Sequence, residues 1–167
     1  MKPVEIRAVT DRNRAEAVRF HSERWGSDRM VSGGRVWSFE KLDGFTAVWN
    51  GKIAGAVTDR FGDGACEVVS LDSALKNRGI GTALLDAAVR AARKNGCRRV
   101  FLLTTNDNTR ALRFCQKRGF DIAGFFRNSI ETSRKIKPEI PLTGNDGIPV
   151  RHEIELDLPL RPVIPGG

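Results

Sequence analysis

The stretch from Leu71 to Leu85 constrains this chain more than any other. Val68, Val69 and Leu71 read as the end of a strand, and Ile80, Ala83, Leu84, Ala87, Ala88 and Ala91 then recur at helical spacing. Between them Gly79 and Gly81 flank a single residue, with Lys76 and Arg78 close by. Glycines let a backbone approach a ligand without a Cβ in the way. Free N–H groups at a helix start, with the positive dipole end behind them, hold phosphate oxygens. Two neighbouring cations add charge of the right sign. The turn is therefore a candidate pyrophosphate cradle; the plain alternative is a tight strand-to-helix turn. It is not a P-loop, because no Gly-Lys-Ser/Thr follows. Nor is it the dinucleotide fingerprint, whose third glycine is absent.

The chain has 167 residues, which suits one domain over residues 1–160 with a loose tail over 161–167. Its net charge of +8 invites nucleic acid, but suits a polyanionic ligand or a solvated basic face equally well. The N-terminus lacks an apolar signal-peptide core, and no apolar run approaches membrane-spanning length. Cys66, Cys97 and Cys115 form no C-x-x-C pair, so they imply neither a disulfide framework nor a metal site. A reducing cytoplasm is the natural compartment. Tyrosine is absent.

Val4 to Val9 alternates as a first strand, and Thr10 or Asp11 can cap a helix running to about Arg24. Ser27 to Lys41 has poor periodicity and reads as a loop with a short helical turn, a place for a substrate-covering segment. Phe45 to Trp49, Asn50-Gly51 and Ile53 to Val57 make a hairpin. A strand follows from Ala65 to Leu71, and the helix after the glycine turn stops near Asn95-Gly96. Arg99 to Leu103 is a short, buried central strand. A helix from Asn106 or Asn108 to about Arg118 precedes a strand from Phe120 to Phe126. Ser129 to Pro149 holds too many breakers to be regular throughout, and Val150 to Leu158 alternates as a final strand. This order implies an α/β (α+β) fold: a mixed sheet with helices on both faces.

That order and two motifs resemble the GNAT superfamily of acyl-CoA-dependent N-acyltransferases. The family's cradle, Gln/Arg-x-x-Gly-x-Gly/Ala, is matched by Lys76-Asn77-Arg78-Gly79-Ile80-Gly81, with Lys in the first place. Its second block is matched by Asn108-Thr109-Arg110-Ala111, Phe114-Cys115 and Lys117-Arg118-Gly119-Phe120. The resemblance is good over residues 44–126 and holds only in outline before that. It implies a mostly antiparallel sheet of about seven strands. It implies acetyl-CoA as acyl donor, with no metal. The pyrophosphate would lie on the amides of Lys76, Asn77, Arg78, Gly79, Ile80, Gly81 and Thr82. Pantetheine would pair like an added strand with backbone at Val69, Leu71 and Ser73. Asn108 matches the residue that bonds the pantetheine arm; alternatively, or as well, it caps a helix.

The implied reaction is direct attack of a primary amine on a thioester in a ternary complex. The amine must be neutral, although a lysine-type amine has a pKa of about 10.4. Glu67, on the strand leading to the cradle, is the candidate base, acting through water; otherwise it faces solvent or pairs with an arginine. A strand amide near Leu71 can donate to the oxyanion. Many family members place Tyr where Cys115 stands, as proton donor to the leaving thiolate. Here Cys115 takes that role, or is a small core residue and no donor is used. In the 129–149 loop and just after it, Arg134, Lys135 and Arg151 can greet an acidic acceptor and His152 can assist proton transfer, or all are solvated. The acceptor is a small-molecule or peptide amine, with no membrane partner; exposed strands at the sheet end leave room for a homodimer. The rivals are a non-catalytic acyl-CoA-binding module of the same fold and, more weakly, a nucleic-acid binder, which lacks a stacking row of aromatics.

Overall fold

The computed structural model describes residues 3–161. Most of the expected loose tail therefore lies outside the described residues. The chain runs β1 (Glu5–Ala8), α1 (Arg14–Trp25), β2 (Arg29–Ser32), β3 (Arg35–Ser38), β4 (Asp43–Trp49), β5 (Lys52–Gly62) and β6 (Ala65–Ser73). It continues α2 (Ile80–Lys94), β7 (Arg99–Thr105), α3 (Thr109–Lys117), β8 (Asp121–Phe126), α4 (Ser129–Ile136) and β9 (Glu153–Pro159). A seven-stranded sheet has the order β1-β4-β5-β6-β7-β9-β8. Every neighbouring pair is antiparallel except β6–β7, which is parallel. Helices cover both faces, so the expected sheet and layering hold.

Local chemistry explains the hairpins. Asn50 and Gly51, at φ 51° and 75°, join Trp49 to its cross-strand partner Lys52. Such two-residue turns need positive φ at both positions, and Asn-Gly tolerates it. The β2–β3 hairpin uses Gly33 and Gly34 in the same way, at φ 60° and 72°. The expected loop at Ser27 to Lys41 is thus largely a small sheet, with a 3-10 turn over Phe39–Lys41. Its periodicity is weak because each strand has only four residues. The Ser129–Pro149 stretch also holds more order than its breakers suggest, since α4 occupies its first third.

Two apolar layers sandwich the sheet. On one side Ile80, Leu84, Leu85, Ala88 and Ala92 of α2 pack on Ala47, Val57, Cys66, Val68, Val100 and Leu102. Leu84 and Leu85 are essentially fully buried, each contributing roughly 2 kcal/mol of transfer free energy. Alanines on the same stripe let α2 lie close to the strands. On the other side Met30, Trp37, Phe39 and Leu42 cover Val69, with Val18 of α1 against them. The end of α1 is tied to the end of β6: Trp25 Nε1 donates to Asp72 Oδ2 at 2.7 Å, and Arg24 donates to the Ser73 carbonyl at 3.1 Å.

Candidate active site

The parallel pairing of β6 and β7 runs from Ala65↔Arg99 to Val68↔Leu102 and stops. Beyond that point β6 continues to Ser73 paired with β5 alone, and β7 continues to Thr105 paired with β9 alone. A V-shaped gap opens in the sheet. A bulge accompanies it: Thr58 pairs with Ser70 and Asp59 with Val68, leaving Val69 as the extra residue. Bulges bend and twist a strand, and this one also shifts its alternation. Val68 and Leu71 both join the α2-side core, whereas Val69 joins the opposite one. The edge of β6 from Val69 to Ser73 that faces β7 has no strand partner among the described residues. It offers unpaired backbone to an extended ligand.

The glycine turn stands at the mouth of this gap. Asn77 and Gly79 adopt left-handed φ values of 58° and 67°, and Gly79 caps α2 with no side-chain hydrogen bond to the helix. Lys76, Asn77, Arg78 and Gly79 are exposed. An exposed turn leading into a helix whose first-turn amides have no side-chain cap forms an anion-binding concavity. A Cβ on Gly81 would sit 3.5 Å from the Phe114 ring, so glycine keeps this crossing of α2 and α3 thin. The guanidinium of Arg78 lies 4.9 Å from the centre of the Trp49 ring. Ser73 Oγ donates to the Leu75 carbonyl at 2.7 Å, tightening the turn. Arg118, a member of the second motif block with no role read from the sequence, is a cation near the cradle. Its Nε donates to Thr82 Oγ1 at 3.2 Å while its guanidinium rests over Phe114. Only the crossing of α3 over the start of α2 brings it there. Asn108 caps α3, its Oδ1 accepting from the Ala111 amide at 3.1 Å, which leaves its Nδ2 available.

Glu67 lies on the opposite face of the sheet, next to the last β6–β7 pair. It is 8 % exposed and borders a cleft of about 570 Å³, within the usual range for small-molecule sites. Burial raises its pKa above the ordinary carboxylate range; Arg60 and Arg35 oppose the rise, and Glu155 and Glu153 reinforce it. The cleft is bounded by β5, β6, β7 and β9 and by the β2–β3 hairpin, through Ser32, Gly33 and Arg35. The tip of that hairpin is docked, with the Gly33 amide donating to buried Glu153 at 3.0 Å. The segment read as a substrate cover therefore does border a cleft.

The 129–149 region does not line that cleft among the described residues. Arg134 is engaged internally, donating to the carbonyls of Ile140, Pro141 and Val150. His152 Nδ1 accepts from the Asn128 amide at 2.8 Å. The loop after α4 is pinned to the end of β7 by Asn106 and Asp107. Asn106 Oδ1 accepts from the Arg151 and His152 amides, and Asp107 accepts from Thr105 and Asn145. These contacts give Arg134 and His152 structural work. Cys115 is buried in the α2-side core, across the sheet from Glu67, and burial pushes its thiol up to about 11.

The model of the Acetyltransferase (GNAT) family matches residues 9–120. The uncharacterized protein YxbD of Bacillus subtilis (strain 168) is 44% identical over 138 residues, covering 82% of this chain and 87% of YxbD. The chain belongs to the GNAT acetyltransferase family. Among solved structures, an IAA acetyltransferase from Bacillus cereus ATCC 14579 superposes with a TM-score of 0.72 at 21% identity, covering 94% of this chain and 99% of its own. A GNAT family acetyltransferase from Elizabethkingia anophelis with acetyl-CoA bound gives 0.70 at 19% identity, over 96% and 100%. No described helix is long and apolar enough to cross a membrane.

Proposed function

We propose that this protein is an N-acetyltransferase that moves an acetyl group from acetyl-CoA to a primary amine by direct attack. The observation that carries the reading is the opening of β6 from β7 just past Val68↔Leu102, with the uncapped start of α2 on one side and Glu67 on the other. A fold relative with acetyl-CoA bound supports the choice of donor. The cradle suits a diphosphate in shape and charge, and the unpaired β6 edge suits a pantetheine arm at Val69, Leu71 and Ser73.

In this reading Glu67 takes a proton from the incoming ammonium, directly or through one water. Burial raises its pKa and so makes it a stronger base than an ordinary surface carboxylate. A backbone N–H near Leu71 donates to the acyl oxygen as it gains charge. The departing thiolate needs no strong acid, because a thiol's ordinary pKa is only about 8.5.

Calorimetry with acetyl-CoA and free-thiol release with an amine panel test the proposal. Glu67→Gln is expected to lower kcat by roughly 10²–10⁴ with the acetyl-CoA KM unchanged. Because its pKa is raised, kcat/KM for wild type rises with pH through a point above the ordinary carboxylate range, and the Gln variant loses that limb. Binding of acetyl-CoA without turnover on any amine would make the protein a carrier or sensor instead.

A further inference from the structure

The cleft at Glu67 is lined by Arg35, Arg60, Arg98 and Arg99, facing Asp63, Glu67 and Asp157, with Glu153 and Glu155 acting on Glu67 from β9. Arg99 is bridged by Glu155 at 3.0 Å and Asp157 at 3.2 Å. Arg98 donates to the Asp63 carbonyl and packs against Gly64. Arg35 and Arg60 differ: both border the cleft, and neither makes an ion pair or hydrogen bond among the described residues. Arg60 is the cross-strand partner of Glu67. Its guanidinium lies 5.5 Å from the centre of the Trp37 ring, and the Trp37 Nε1 donates to the Ser32 carbonyl at 3.3 Å. A guanidinium stacked on a ring keeps its planar fork of donors for an anion. Arg35 reaches the same cleft from the β2–β3 hairpin. Both guanidinia act on Glu67 electrostatically, yet neither comes within ion-pair distance of it.

We infer that the acceptor is a small amino acid: an amine whose carboxylate, a few bonds from the nitrogen, is held by Arg35 and Arg60 while the nitrogen faces Glu67. This rests on the acetyltransferase reading above. Two guanidinia without an ion pair, beside the buried carboxylate of Glu67, match the two ends of a zwitterion. The same pair repels a polyamine. It also leaves a neutral amine with nothing to offset the desolvation of two guanidinia. A carboxylate fits the two flat donor forks bidentately, so it is favoured over a single point charge.

The test compares free amino acids, their carboxamides, aminoalkylphosphonates and spermidine as acceptors with acetyl-CoA. Wild type is expected to prefer the carboxylate over the carboxamide at least tenfold in kcat/KM. Arg35→Met and Arg60→Met are each expected to raise the KM for the amino acid about ten- to hundredfold, the usual loss of a charged hydrogen bond. The acetyl-CoA KM and the carboxamide KM should stay near wild type. Arg35 is exposed on the hairpin, so its variant reports even if Arg60→Met disturbs Trp37. Equal use of carboxamide and carboxylate, preference for the phosphonate or spermidine, or equal damage to both acceptors overturns the inference. Turnover on uncharged amines alone would sink it while leaving the acetyltransferase reading intact. If acetyl-CoA does not bind at all, that reading fails instead. Quenching of tryptophan fluorescence by the amino acids alone then decides: saturation lost in Arg60→Met supports the anion site, and no saturation overturns it.

Discussion

Asp59 on β5 is 2 % exposed, and its Oδ2 meets no donor among the described residues. Burial, with help from the charge of Asp43, raises its pKa from 3.8 to about 6. The folded state therefore binds the proton more tightly than the unfolded chain does. Stability is fully present below about pH 4 and is lost as pH rises through about 6, by about 3 kcal/mol. Asp59→Asn should raise Tm by about 6–12 °C at pH 8 and change little at pH 4. Thermal unfolding followed by circular dichroism at both pH values checks this, and equal gains would contradict it. Cys115 gives a second prediction. Held in the α2-side core with its thiol pushed up to about 11, it packs well and ionises poorly. Cys115→Ala should lower turnover less than tenfold in the thiol-release assay. A loss above a hundredfold, with folding and acetyl-CoA affinity intact, would instead make it the proton donor to the leaving thiolate.

Between elements, the closeness of α2 to the sheet governs what substitutions the site can bear. A Cβ on Gly55 of β5 would lie 2.6 Å from Ile80 Cγ2 and 2.8 Å from the Asp72 carbonyl. Gly55→Ala must push α2 or β6 outward, costing about 1–3 kcal/mol by overpacking. At Gly62 the nearest atom is the flexible tip of Arg60, so Gly62→Ala should be nearly neutral. Urea denaturation of the two variants tests the contrast. The elements themselves were unevenly legible. Long amphipathic α2 and the Asn50-Gly51 hairpin were plain because their period and turn chemistry are strong. The β2–β3 hairpin was hidden by four-residue strands, although Gly33-Gly34 between polar-apolar alternation was the available cue. Helix α4 was hidden because it rests on Ile130 and Ser133 alone for burial, with Arg134 holding the chain after it.

For the molecule as a whole, the proposal ties ligand binding to folding, because cradle and gap exist only when α2 is docked on the sheet. Acetyl-CoA at a hundred times its Kd should stabilise the protein by about 2.7 kcal/mol. For a chain of this size that is a rise in Tm of about 5–10 °C. Differential scanning fluorimetry measures it, and no shift at saturation would sink the proposed donor. Arg118 and Arg35 belong to this same level. Each comes from an element distant in sequence from the residues it serves, one over the start of α2 and the other over the cleft at Glu67.

The amino-acid string alone determined the alternation of strands and helices, the glycine turn ahead of α2 and the carboxylate on the strand before it. All of these depend on spacing along a few residues, where backbone geometry and hydrophobic period act directly. Folding in three dimensions decided the gap between β6 and β7, the unpaired guanidinia beside Glu67 and the burial of Asp59 and Cys115. Those depend on which distant segments meet, and no local pattern encodes where a parallel pair stops or which arginine finds a carboxylate.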